Sequence, residues 1–422
     1  MASRLYNGTR QLFCQVLRVL VLLGLGSITS ALGVQLICLY VCGLIVLDKH
    51  QNNSRIARFL PARCHDALNR LLRVMPLSVE GLMVLLLKLA KSLGEGYLIL
   101  DDVVIEKFGK VCSFVGYCYS TSRKGVVLGI HVVVVVWCSM DGRYRIPVGF
   151  VLWMPKHRYR CGENNKEYKT KIELGKELIV WVRKRGLKFA YICFDAWYGA
   201  TWFMKWLNNR GIIFITEVPC DRRVLYRNKG LIRVDEVAKG LSYRWDKELE
   251  KEVSVLRVLL PDYGQKKQVR LVVTRTKTGG AKGTKEGSKA KAKGKKSIPE
   301  GGKESQEDKY KYKYEYIVTN ELDARGRKVV RRKQSRWKIE TVFRDEKQYG
   351  GLCACQCRVE EAMRRHVALS LLTLVVLQWL RKRAKEPVGR VKERWQLELI
   401  RQGDSVPEPL RGKQKITLEV TA

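Results

Sequence analysis

The sequence predicts an α/β fold, a sheet covered by helices, preceded by a helical N-terminal region and interrupted by an inserted β region. Three observations carry that expectation. From residue 1 to about 92 the chain reads as helical. Beyond that point β-branched runs bounded by turn residues alternate with amphipathic stretches, the order expected of a sheet buried on both faces. Finally, 46% of the 422 residues are hydrophobic and only 10 are proline, which excludes a disordered polycation and allows two or three domains.

The first core strands are Tyr97 to Val104 (YLILDDVV), Val126 to Cys138 (VVLGIHVVVVVWC) and Arg145 to Trp153 (RIPVGFVLW), with Asp141-Gly142 as a turn signal. Asn165 to Gly186 carries Ile172, Leu174, Leu178, Ile179 and Val182 at helical spacing and stops at a glycine. Phe189 to Phe194 follows as a strand, Ala200 to Asn209 as a helix and Ile212 to Val218 as a strand. The core is therefore assigned to residues 93–220 and 325–385, with residues 221–324 as the β insertion. Its strands are Val253 to Leu260, Val269 to Thr274 and Tyr312 to Thr319. Between the last two, Lys277 to Lys309 holds 10 Lys, 7 Gly and no aromatic residue, too little apolar surface to order itself, so a flexible basic loop is expected over 277–309. Arg325 to Tyr349 reads as a basic helix and Arg358 to Lys385 as an apolar one; residues 386–422 read as a poorly ordered tail.

Lys and Arg number 80 against 41 Asp and Glu, a formal net charge of +39. A field of that sign attracts polyanions, so nucleic acid or an anionic membrane surface is the expected partner. Val19 to Leu47, 29 residues without a charge, is long enough to span a bilayer, and a membrane-anchored basic protein is one alternative. Gly24, Gly26, Ser27, Thr29, Ser30, Gly33 and Gln35 divide that run, however, and bases on both flanks give no orientation. Two packed helices without stable membrane association are expected instead. The 13 cysteines are odd in number and scattered, a pattern of reduced cytosolic thiols; Cys353, Cys355 and Cys357 have no second pair to complete a zinc site.

The acids stand out by position. Asp101 and Asp102 close one apolar strand, Asp195 closes another, and Glu340 lies in a basic helix. Two carboxylates on adjacent strand ends, with a third from a helix packed on the sheet, can hold two divalent cations about 4 Å apart for phosphodiester chemistry. Oxygen ligands select Mg2+ or Mn2+. Taken singly, each aspartate could equally cap a helix or fill a turn, and Glu340 could simply pair with Arg336. Glu340 is the more telling: Arg325 to Lys347 holds 10 bases and three acids (Glu340, Asp345, Glu346), and helical spacing aligns Arg336, Glu340 and Lys347. A lone carboxylate on such a face would repel a phosphate unless a cation bridged the two.

Lys333-Gln-Ser-Arg336-Trp-Lys-Ile-Glu340, followed by Lys347, resembles the Tyr-Arg-Glu-Lys signature of a subgroup of the DDE transposases of bacterial and archaeal insertion sequences. Arg336, Glu340 and Lys347 fall in register, and Lys333 replaces the tyrosine. The family's first acid, in Asp-Asp-Thr, is similar to Asp101-Asp102-Val103, with Asp101 in the better register and Asp102 as the alternative. Its second, in Asp-x-x-Tyr, resembles Asp195-Ala-Trp-Tyr198. Gly351-Leu352, Gln356-Cys-Arg358 and His366 repeat the order found after the glutamate helix, so the resemblance covers about residues 90 to 385.

The resemblance implies an RNase H-like mixed sheet flanked by helices that cuts DNA at element ends and joins the freed 3′-hydroxyl to a target. Asp101, Asp195 and Glu340 would be the catalytic metal ligands, for two Mg2+ or Mn2+ ions, and Arg336, Lys347, Lys333 and Tyr198 would contact DNA. Residues 1–92 would be a candidate for end recognition, and His366 a structural residue. Double-stranded DNA would be the partner of a homodimer in a synaptic complex, in the cytoplasm at the nucleoid. Two further alternatives share the core: a DNA-binding relic that has lost catalysis, and a structure-specific nuclease that does not join strands.

Overall fold

The computed structural model describes residues 7–47, 52–59, 65–112, 114–120, 123–156, 168–227, 230–264, 267–278, 311–354, 356–383 and 386–401. They divide into two compact units, residues 1–198 with 335–422, and residues 199–334. The first unit begins with five helices: α1 (Asn7–Leu22), α2 (Ala31–Val46), α3 (Asn53–Phe59), α4 (His65–Arg73) and α5 (Val79–Ser92). The uncharged run 19–47 is folded back on itself. Gly24 takes a left-handed φ of 82°, a 3-10 turn covers Leu25–Ser27, and Ser30 caps α2 by accepting a hydrogen bond from the Gly33 N–H at 3.2 Å. The glycines and hydroxyls at the centre of the run are thus the turn between two packed helices. Among the described residues no helix is long and apolar enough to cross a membrane.

Four strands follow, β1 (Gly96–Glu106), β2 (Gly116–Ser120), β3 (Gly125–Ser139) and β4 (Arg145–Trp153), then α6 (Lys171–Lys184) and β5 (Ile192–Phe194). β3 pairs antiparallel with β1 along one edge and with β2 and β4 along the other, while β1 pairs parallel with β5. The Leu100↔Phe194 pair sets the register that matters most, because the next residue on each strand is an aspartate. Two features seat α6 on this sheet. Thr170 and Glu173 form a reciprocal capping box at its start. Gly175 lets it approach closely: a Cβ there would meet Leu100 Cδ2 at 2.8 Å.

The second unit holds α7 (Thr201–Asn208), β6 (Phe214–Glu217), β7 (Arg223–Leu225), β8 (Leu231–Arg233), α8 (Val234–Lys239), β9 (Arg244–Asp246), β10 (Lys251–Leu259), β11 (Gln268–Thr278), β12 (Lys311–Thr319) and α9 (Gly326–Ser335), which runs to its boundary. Its strands follow the order β6-β12-β11-β10-β7-β8, with β9 on β10. The unit starts earlier than the insertion expected at 221–324, because α7 and β6 cluster with it. Most of the Lys- and Gly-rich loop expected at 277–309 lies outside the described residues, between the paired ends of β11 and β12.

The chain then re-enters the first unit as α10 (Trp337–Asp345), a π-helical turn over Glu346–Gly350, α11 (Glu360–Trp379) and α12 (Val388–Arg401). The single basic helix expected over 325–349 is therefore broken at Arg336 and widened after Asp345, and Gly351 ends the π turn with a φ of 78°. α11 is buried almost throughout from Ala362 to Gln378 and packs against α1, α2, α4 and α5. The helical N-terminal region is thus part of this unit's core, with nearly all of α2 from Val34 to Val46 buried. The tail expected at 386–422 needs correction: residues 388–401 form α12, burying Val388, Val391, Trp395 and Leu399 on one face. Lys392, 1% exposed, donates to the carbonyls of Leu44 and Leu47, and Gln396 to that of Val46, so α12 supplies donors to carbonyls at the end of α2. Residues 402–422 lie outside the described residues.

His366 is a core residue. Its Nδ1 lies 2.7 Å from the Tyr40 hydroxyl and its Nε2 3.3 Å from the Leu352 carbonyl, while burial and nearby Lys107 pull it down to about 4. A histidine depressed below its unfolded value of about 6.5 stabilises the fold above that pH, and the contribution is lost as pH falls toward 4. Buried Glu346, raised by desolvation, acts with the opposite sign, so a variant comparison is needed. The stability of His366→Gln, followed by urea unfolding, should fall less steeply between pH 6.5 and 4 than that of the wild type, by up to about 3 kcal/mol over the window.

Candidate active site

Asp101 and Asp195 lie one residue beyond the last paired positions of β1 and β5, so the parallel register sets them side by side. Glu340 comes from the first turn of α10, and Arg336 immediately precedes that helix. Arg336 joins two of these elements, β1 and α10: Nη1 donates to Asp101 Oδ2 at 3.2 Å and Nη2 to Glu340 Oε1 at 2.7 Å. Burial raises Asp101 to about 8, aided by the neighbouring charge of Asp195; burial also raises Asp195, against the backbone N–H groups of Trp197 and Tyr198 that its Oδ1 accepts at 3.1 and 3.2 Å. Burial alone would lower Arg336, but Asp101, Glu340 and Asp195 outweigh it and raise the guanidinium. One fixed cation thus faces three acids.

Asp102 belongs to a different set of contacts. Successive residues of a strand point to opposite faces, and Asp102 accepts from Lys171 Nζ at 2.9 and 3.0 Å and from the Tyr198 hydroxyl at 3.1 Å, with His131 Nδ1 at 2.6 Å. Burial would raise Asp102, but His131 and Lys171 outweigh it and hold the carboxyl below its usual range. Lys171 Nζ also sits 4.1 Å from the centroid of the Trp197 ring. Asp102 is thus neutralised by its own partners, while Asp101 shares the arginine with Glu340.

The remaining expected site residues scatter. Tyr198, expected at the DNA, is fully buried with its hydroxyl on Asp102 and offers no surface there. Lys347 is exposed on the π turn. Lys333, in the second unit, forms ion pairs with Glu217 and, at 3.7 Å, with Glu315. Gln356 anchors the end of β1, accepting from the Phe108 N–H at 3.3 Å and donating to the Glu106 carbonyl at 3.5 Å. His131 and Lys171 are absent from the sequence reading. A histidine inside the otherwise apolar VVLGIHVVVVVWC is a visible anomaly, but only the β1–β3 register and the seating of α6 connect these residues to Asp102.

As a metal site the donor set fits in chemistry: three carboxylates, two of them raised by burial, suit a hard cation with oxygen ligands. With Arg336 between them they do not form a ready cage, and among the described residues no group of three Asp, Glu, His or Cys side chains is disposed to hold a metal ion. Residues 34–247 match the family described as DDE superfamily endonuclease, and residues 163–376 match the transposase DDE domain, each spanning just over half of the chain. The chain belongs to the DDE transposase superfamily. No curated protein matches it. This DDE transposase is therefore a nucleic-acid-cleaving enzyme whose mixed α/β sheet and flanking helices agree with an RNase H-like fold, and enzymes of its superfamily use divalent metals. The first matched segment contains Asp101 and Asp195 and the second Asp195 and Glu340.

Lys171→Met would leave the buried Asp102 carboxylate with His131 and Tyr198 alone. Urea unfolding should show a loss of about 3 kcal/mol, the range for breaking one side of a buried pair; a loss below about 0.5 kcal/mol would mean that Lys171 does not neutralise Asp102.

Proposed function

We propose that this transposase cuts DNA at the ends of its own element and joins the freed 3′-hydroxyl to target DNA, using Asp101, Asp195 and Glu340. The observation that supports the assignment is the Arg336 bridge, which favours Asp101 over Asp102 and links it to Glu340 on a different element. These acids would hold Mg2+ or Mn2+, two ions on the two-metal scheme. When bound, the cations activate the attacking oxygen and stabilise the leaving one. The protein's own part is to hold the acids in place and bind phosphate. Arg336 keeps Asp101 and Glu340 together and offers its guanidinium to a DNA phosphate, for which its planar donor fork is suited. Lys347, exposed seven residues beyond Glu340, adds a second phosphate contact. Tyr198 is a positioning residue: its N–H holds Asp195 Oδ1 while its hydroxyl is fixed by Asp102.

The spacing of Arg336, Glu340 and Lys347 also favours the Tyr-Arg-Glu-Lys subgroup. In that reading the substrate is duplex DNA bearing the element's terminal repeats, and two copies of the chain act together on the two ends in the cytoplasm.

Incubation of the full chain with the DNA flanking its gene and Mn2+ should yield cleavage at the element ends and strand-transfer products. Asp195→Ala should abolish both, and Tyr198→Phe should reduce the rate roughly tenfold, as expected for loss of orientation rather than of the acid itself. Cleavage by Asp195→Ala at the wild-type rate would refute the assignment; cleavage without joining would leave a nuclease, and tight binding without cleavage a relic.

A further inference from the structure

Thr341, the residue after Glu340, points about 100° further round α10. With Arg344 and Asp345 it lines a cleft of about 680 Å3 that Arg145 of β4, Arg381 after α11 and Arg390 of α12 complete. An adjoining cavity of about 370 Å3 shares Arg143 and Arg381 with it and adds Arg383 and Trp379. Three of the five arginines lining this cleft differ from those of the basic cluster on α9. In the second unit Arg327, Arg331 and Arg332 are committed to Asp246, Glu248 and Glu321. Here three of the four lining acids are engaged with other bases: Glu386 pairs with Arg394 at 3.2 Å, Asp141 with Arg143 at 3.5 Å, and buried Asp345 with Arg344 at 3.5 Å, which leaves Glu393 as the fourth. Among the described residues no ion pair is formed by Arg145, Arg381 or Arg390.

Arg381 is the most constrained of them. Its Nη1 donates to the Arg143 carbonyl at 3.0 Å, while its Nε is buried without an acceptor. Burial pulls the guanidinium below the usual arginine range, and the like charge of Arg145 adds to this, against the smaller opposing charges of Asp345 and Glu386. Two guanidiniums that repel each other, one with an unmatched N–H, form a donor set suited to the oxygens of a phosphate. The cleft is open and carries its charge on several arginines, which suits a polymer backbone better than one small anion. It also adjoins the catalytic face of the same helix.

We infer that this cleft binds backbone phosphates of the DNA duplex next to the bond being cut, through Arg145, Arg381 and Arg390. The inference rests on the transposase reading above, and its test is a binding measurement that needs no cleavage. Full-length protein is titrated, in EDTA, into a fluorescein-labelled duplex carrying the DNA that flanks its gene, and anisotropy is read over a series of KCl concentrations. For Arg145→Gln with Arg381→Gln, the slope of log K against log salt should become shallower by about 1.8, with roughly tenfold weaker binding at low salt. The exposed Arg390→Gln alone should shift the slope by about 0.9, the value for one phosphate contact. Wild-type slopes for all variants would overturn the inference. So would a loss confined to the double variant that follows a fall in its Tm while Arg390→Gln binds as wild type. Failure of the transposase reading would appear separately, as wild-type protein that binds DNA yet never cleaves it in Mn2+.

Discussion

The pleat of β1 is the constraint on which the site depends. Two adjacent aspartates on one strand cannot serve one centre, because alternate residues face opposite sides of a sheet. Asp101 is directed to Arg336, Glu340 and the neighbourhood of Asp195; Asp102 is directed to Lys171, His131 and Tyr198. The second group serves the first. Tyr198 takes its position from Asp102 and gives an N–H to Asp195, so Asp102 still helps to place an acid of the first group.

Charge is distributed to match. An excess of 39 positive charges would bind any polyanion, and much of it contributes only that. At the site the balance reverses, with one guanidinium among three acids, which invites cations and through them phosphate. On the next face of α10 the arginines again outnumber the acids that pair with them. A DNA strand crossing α10 would thus meet an acidic centre bordered by bases, an arrangement that draws the backbone in and presents one phosphate to the acids.

Much of this was legible in the sequence. The β-branched runs gave β1, β3 and β4, because burial on both faces leaves few other compositions for a strand. The polar centre of the run 19–47 marked a turn, since glycines and hydroxyls suit backbone reversal and capping. Spacing alone also placed Arg336 one turn before Glu340. Contacts that depend on register or on packing between distant elements were hidden. The links of His131 and Lys171 to Asp102 require the β1–β3 alignment and the seating of α6 by Gly175. Tyr198, conspicuous in its motif, turned inward because its hydroxyl had a buried acid to meet. The helix at 388–401 was obscured by its charges, although Val388, Val391, Trp395 and Leu399 lie at helical spacing; its Lys392 is buried against the end of α2, where it donates to the Leu44 and Leu47 carbonyls.

Manganese binding, followed by electron paramagnetic resonance on the full chain, tests the division of labour along β1 most directly. If the pleat assigns Asp101 to the metal and Asp102 to the scaffold, Asp101→Asn should lose Mn2+ binding while Asp102→Asn retains it with at most a modest weakening. Retention of Mn2+ by Asp101→Asn together with its loss in Asp102→Asn would contradict that division.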